Sequence, residues 1–520
     1  MLGRASRVVC AYQHAMRLPN LARFYASSSL PPTLHVLRRD AETKLASLQD
    51  MDTPVTAHGW IVSVRRHKTR TFVELTDGTF GGAATLQVVL PGEARELTPG
   101  QAVQLSGRMA AGRGRTSSQR VEMHAEDVHV LASTDLATYP LANVMHSTKP
   151  DSVAADIVRQ ASHFKARTLH FGAIQRTRTR MELAMAVWMD QNDFCKVQPP
   201  VITSSDCEGG GEIFRVVAES DVAQHPSSKE NMTAFWSGND AYLTVSAQLH
   251  LEAYALGLSR VWSLCPVFRA EGSATNRHLA EFWMLEAEMC WLPSKNALEA
   301  ILDCTEEVIK SAIRAAWHEG RARDDMTFLG ATDEHAASIE APWPRISYTH
   351  AVQLLRAQCT EVPAPVWGDS LRSDHERWLA AHFGMPVFVT DFPSNIKPFY
   401  MRENDEQVIL DETLHPEAAG ASRKTVACFD LLVPNVGELV GGSVREERHD
   451  MLLQRMEQSG LQSSSLTWYI HDLRRYGGPP HGGFGIGMER LLSWLTHTYH
   501  VRDLVGFPRV NCLLYTSDAA

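Results

Sequence analysis

Short alternating runs dominate the early part of the chain. From Pro54, VTAHGWIVSVRR places apolar and polar residues in turn, and so does TFVELTDG, which closes on an Asp77-Gly78 turn. ATLQVVL follows, then a turn at Pro99-Gly100, then AVQLSGRMA and VEMHAEDVHVLA. Five such runs in roughly 80 residues predict a small five-stranded barrel of the OB type over 54–134, with another small barrel or sandwich as the alternative. Residues 135–165 lose the alternation and carry two prolines, which reads as a linker. From 166 to 511 the texture changes. Long helical stretches such as IQRTRTRMELAMAVWMDQNDF mix with the strand-like RVWSLCPVF, FWMLEAEMCWL and TVACFDLLV. That mixture predicts an α+β domain on a mainly antiparallel sheet flanked by helices.

Composition narrows the partners. Hydrophobic residues are 44% of 520 and charged residues 21%, the profile of a chain with a real core, and no apolar run is long enough to cross a bilayer. The formal net charge of −10 means that a nucleic-acid partner must be sought in a local basic patch. The nine cysteines form no C-x-x-C pair, against a zinc ribbon or redox pair. The ends differ from the rest. Before the first acid, Asp40, stand Arg4, Arg7, Arg17, Arg23, Arg38 and Arg39 with three serines, Ser27 to Ser29, as expected of a mitochondrial transit peptide over 1–40 and a matrix location. CLLYTSDAA, 512–520, reads as a translated sequencing adapter and is set aside as an expected artefact.

The chemistry concentrates in VFRAEGSATNRHLAEFWMLEAEM, Val267 to Met289. Two strand-like runs flank a polar loop, and alternation puts Arg269 and Glu271 on one strand, facing Phe282 on the next. A guanidinium suits a phosphate, a carboxylate can accept from an adenine amino group, and a ring can stack on a base. Arg277 and His278 in the loop are placed to reach outer phosphates. A solvated hairpin would explain any one of these residues, but not the ordered set.

These residues resemble motif 2 of the class II aminoacyl-tRNA synthetases, above all their aspartyl and asparaginyl members. HGGFGIGMERLLSWL, His481 to Leu495, resembles motif 3, with Gly485 and Gly487 opening a helix and Arg490 aimed at the ATP tail. FCKVQPPVI resembles motif 1, where Pro200 matches the proline of the family's dimer interface. The resemblance covers most of 54–509. It implies ATP as substrate, with Arg269 and Arg490 catalytic and Glu271, Arg277, His278, Phe282, Glu438 and Gly487 also on the nucleotide. It implies Mg²⁺ on Asp430 and Glu438, hard oxygen ligands suited to that ion. It also implies Glu208, Gln248, Glu286, Arg445 and His481 on the amino acid, a homodimer, and an anticodon-binding barrel. On that barrel Arg65, Arg66, Lys68 and Arg70 surround Phe72, which is either a stacking ring or barrel core.

Asparagine and tRNA(Asn) are implied over aspartate and its tRNA by two positions. Leu251 stands where the family's aspartyl members carry Lys, and Glu286 where they carry Asp. Arg445 as donor and Glu286 as acceptor would then read a carboxamide, and Glu286 would repel a carboxylate. The rivals are an aspartyl enzyme, a tRNA-independent amidating ligase and a non-catalytic RNA-binding module. The barrel argues against the ligase, and the set of Arg269, Phe282, Asp430, Glu438 and Arg490 against the module.

Overall fold

The computed structural model of the chain describes residues 30–47, 49, 51–112, 120–142, 153–204, 213–224, 234–272, 275–332, 337–406, 408, 423–460 and 466–511. Glu208, the adapter-like end at 512–520 and most of the expected transit peptide lie outside them. The chain forms two compact units, one within residues 1–142, the other made of 81–83 and the residues beyond 142.

The first unit is a closed barrel in the order β1-β2-β3-β5-β4, built from Pro54–Arg66, Arg70–Thr76, Leu86–Pro91, Ala102–Ala111 and Val121–Ala132. All neighbours run antiparallel except β3 and β5, which are parallel. Alternation is the cause: Val73, Leu75, Val88, Val103, Leu105 and Met123 point inward and are buried. The helix Leu34–Ala46 adds Leu34, Leu37 and Ala41 to the same core, and Thr33 caps it by accepting from the Val36 N–H. Leu34 and Leu37 therefore belong to the barrel's packing although the expected leader runs to residue 40. Removing residues 34–40 would take the fully buried Leu34 out of that core.

The second unit is built on an eight-stranded sheet, β11-β12-β13-β14-β15-β10-β9-β6. In chain order these are β6 (Cys195–Lys196), β9 (Arg260–Phe268), β10 (Glu281–Cys290), β11 (Arg345–Ser347), β12 (Val387–Thr390), β13 (Cys428–Val433), β14 (Gly437–Val444) and β15 (His481–Gly487). A separate ribbon pairs β7 (Ile202–Thr203) with β8 (Tyr242–Leu243). The middle of the sheet is antiparallel, while each edge pair, β11 with β12 and β6 with β9, is parallel. The helices Leu169–Gln191 and Ala297–Ala316 share a core with one face of the sheet, through Met181, Met185, Ile301, Ile309, Leu285 and Ala287. The expected linker is helical over Val153–Gln160. Arg159 ties that helix to its unit through paired hydrogen bonds to Asp503 at 2.7 and 2.8 Å, a long-range contact that sequence spacing cannot reveal.

Candidate active site

Strand β10 divides its residues by parity. Leu285, Ala287 and Met289 enter the core. Phe282, Met284, Glu286 and Glu288 face the other way and line a cavity of about 340 Å³. Strands β14 and β15 complete its floor with Gly441, Gly442, Gly485 and Gly487. The helix Met488–Thr496 opens at Gly487 and sends Arg490 into the same space.

One end of the cavity is cationic. Arg269 lies 5.6 Å from the centre of the Phe282 ring, beyond the last residue of β9. Arg269 and Glu271 were expected on the strand itself; they sit just past it, and Arg269 keeps a backbone bond to Ala280. Glu271 pairs with His278 at 3.1 Å, and Arg277 donates to the Asn435 carbonyl at 3.3 Å. Arg490 donates to Glu438 at 3.3 Å and to its carbonyl at 2.8 Å. Burial opposes the charge on Glu438, but Arg490, Lys397 and Arg269 outweigh it and hold the group below the usual carboxylate range. Two arginines far apart in sequence thus converge on one acid-lined space.

The expected metal pair is close together. The Glu438 Oε1 and Asp430 Oδ1 atoms lie 3.4 and 3.9 Å from the point where Gly441 would carry a Cβ, so a glycine keeps the space between them open. Lys397, which the sequence reading missed, donates to both Asp430 oxygens at 2.8 and 2.7 Å. Among the described residues no group of three or more acidic, His or Cys side chains forms a metal cage. A third acid, Glu376, accepts from the Glu438 N–H at 3.2 Å, and burial together with the charge of Glu438 pushes it up to about 7. The folded protein therefore keeps a proton that the unfolded chain releases near 4.5. Stability falls as pH rises between those values, by at most about 1.4 kcal/mol per unit. Glu376→Gln is expected to remove that slope. Melting temperatures measured without nucleotide should favour the variant increasingly across this window, and parallel curves would contradict the assignment.

The other end is built for a small polar group. Glu286 accepts from Ser246 Oγ and from the Ala247 N–H at 3.0 Å. Arg445, almost fully buried, pairs with Glu288, donates to Ser443 at 2.7 Å and lies over the Tyr400 ring. Arg445 and Glu286, the expected donor and acceptor, both line the cavity, and Arg445 is held by a second acid, Glu288. Burial raises Glu288, Arg445 opposes, and the charges of Glu252 and Glu286 add to the rise, to about 8. The sequence reading missed Glu288, although alternation puts it on the same face as Glu286. Gln248 lines the cavity; His481 does not, being wholly buried against Glu252 and the Pro479 carbonyl. Leu251 also stays out, packed with Ala255, Val261 and Cys290, because its helix turns that face toward the sheet. It cannot read a substrate directly.

On the barrel, Arg65, Lys68 and Arg70 are exposed. Phe72 is half-buried between the inward Thr71 and Val73, meets the His67 ring edge-on at 5.6 Å, and is not part of the barrel core.

A cleft floored by an antiparallel sheet, with two converging arginines at one end and the Arg445–Glu288 pair beside Glu286 at the other, has the layout of a nucleotide-dependent amino-acid-activating domain. Residues 155–511 match the family model described as tRNA synthetases class II (D, K and N), and 55–131 match an OB-fold nucleic acid binding domain. The chain belongs to that class II synthetase family. It is 37% identical over 473 residues to an asparagine–tRNA ligase of Thermosynechococcus vestitus, covering 88% of this chain and 95% of that one. To an asparagine–tRNA ligase of Rhodopirellula baltica it is 38% identical over 471 residues, covering 88% and 90%. The fold matches the Pyrococcus horikoshii asparaginyl-tRNA synthetase complexed with asparaginyl-adenylate, with a TM-score of 0.77, 29% identity, and coverage of 94% of this chain and all of that one.

Proposed function

We propose that this chain activates L-asparagine with ATP to asparaginyl-AMP and transfers the aminoacyl group to tRNA(Asn). The carrying observation is the single cavity that joins Arg269, Phe282 and Arg490 to Arg445, Glu286 and Glu288. Relatives that cover most of this chain are asparagine–tRNA ligases. The base would stack against Phe282, while Arg269 and Arg490 balance charge on the α-phosphate as the asparagine carboxylate attacks and pyrophosphate leaves. No side-chain nucleophile is needed; positioning and charge stabilisation suffice. Glu438, with Asp430 beside it, fits Mg²⁺, which commonly takes one or two carboxylates alongside phosphate oxygens. When bound it would neutralise phosphate charge. The test is ATP–pyrophosphate exchange with asparagine and with aspartate, followed by charging of both tRNAs. Exchange with asparagine and charging of tRNA(Asn) is the expected result; exchange driven by aspartate alone would overturn the reading.

The barrel would hold the anticodon, with the exposed Arg65, Lys68 and Arg70 on phosphates and Phe72 under a base. Phe72→Ala is expected to lower kcat/KM for tRNA charging about tenfold, leaving exchange and the barrel's melting unchanged. A melted barrel with normal charging would return Phe72 to the core. A homodimer is supported by the motif 1 resemblance and by the exposed Leu183, Val187 and Ile202, and sedimentation would decide it. Action in the mitochondrial matrix follows from the acid-free leader, which on this reading ends before Leu34. Import of a fusion bearing residues 1–33 tests it.

A further inference from the structure

Beneath the amino-acid end of the cavity lies a carboxylate that the mechanism does not use. Glu252 is wholly buried and does not line the cavity. Its Oε2 accepts from Tyr469 Oη at 2.8 Å, Arg474 Nη2 at 2.8 Å and His481 Nε2 at 3.1 Å, with Arg445 Nε 3.7 Å from Oε1. Tyr469 arrives on a π-helical turn, Trp468–Asp472, a form that often marks functional sites. Burial opposes the charge of Glu252, but Arg474, His481 and Arg445 outweigh it and hold the group below the usual carboxylate range.

One further partner reaches the cavity. Gln248 stands one helical turn before Glu252 on the same face, and its Nε2 donates to Glu252 Oε1 at 3.0 Å. A side-chain amide has two ends of nearly equal size, and a neutral neighbour could accept either. An ionised carboxylate only accepts, so the NH₂ must face it and the oxygen must face away. We propose that Glu252 is a positioning residue that fixes the Gln248 amide with its oxygen toward the cavity, where it accepts from an N–H of the bound amino acid. This rests on the amino-acid-activating reading above and adds the device that orients the substrate.

The test is a double-mutant cycle in the full-length protein, read by ATP–pyrophosphate exchange with asparagine and ATP varied separately. In Glu252→Gln the new amide either donates or accepts, so Gln248 is free to turn; KM for asparagine should rise about tenfold, with KM for ATP held within about twofold. Gln248→Met keeps the bulk without the amide and should show the same rise. The double variant should be no worse than either single one, because the orientation can be lost only once. A purely structural Glu252 would instead lower the melting temperature and kcat with both KM values unmoved. That result, losses that multiply in the double variant, or wild-type KM for asparagine in Gln248→Met would overturn the proposal. Gln248 is only partly buried, so its variant decides the matter even where Glu252→Gln does not fold. Should the wild-type protein exchange with aspartate alone, the asparagine reading fails. The same cycle run with aspartate, whose ammonium also carries N–H groups, then decides this proposal separately.

Discussion

Arg269→Ala is expected to cut ATP–pyrophosphate exchange at least about a thousandfold while leaving the melting temperature near that of the wild type. Its guanidinium lies over Phe282 and acts on Glu438 across the cavity, so it belongs to the wall that a phosphate would meet. Side-chain removal deletes a charge-assisted donor where negative charge develops, which is the costliest place to lose one. The residue lies just past the end of β9 and is partly exposed, so little packing goes with it. The loss should fall mainly on kcat/KM for ATP. An Arg269→Ala protein that exchanges at the wild-type rate would remove the residue from the site.

Arg445→Met should abolish asparagine-dependent exchange, with a loss of about a thousandfold or more, because on the reading proposed above Arg445 is the pocket's charged donor to the substrate carbonyl. The fold is expected to survive near neutral pH. Glu288, the partner left behind, is already pushed up to about 8 and would keep its proton, avoiding a naked buried charge. The sign of the pH effect follows. In the wild type the folded state holds this proton only up to about 8. Without the guanidinium it holds it higher still, while the unfolded chain has long released it. The variant should therefore continue to lose stability above pH 8 where the wild type levels off, by at most about 1.4 kcal/mol per unit. Melting curves at pH 7, 8 and 9 distinguish the two. A variant whose curve runs parallel to the wild type's would show that Glu288 ionises freely.

Local patterning made the barrel legible, because each strand has one buried face and the alternation says which. The same rule places Phe282, Glu286 and Glu288 on one face of β10, but the sequence reading applied it only to Phe282, took Glu286 from the resemblance and missed Glu288. What was hidden depends on distant approach. Lys397 reaches Asp430 from a loop before β13, and Tyr400 enters the cavity from the same stretch, with no periodicity to announce either. The helix Val153–Gln160 was hidden in a segment whose polar residues and proline read as linker. Leu251 shows the opposite failure. The difference at that position was visible, but the direction of the side chain was not, and the helix points it into a buried apolar cluster. Its neighbour Glu252, unnamed in the sequence reading, accepts from Gln248 at 3.0 Å.

The cavity floor is made largely of glycine, and at Gly442 a side chain would come within 2.8 Å of the Gly483 carbonyl. Such a floor has no rotamers to freeze when a guest arrives. Its shape is held by the ladder between β10, β14 and β15, so its contribution to recognition is rigid before any encounter. Adaptation to a guest must therefore come from the walls, where Arg269, Arg277 and Arg490 present long side chains to the cavity.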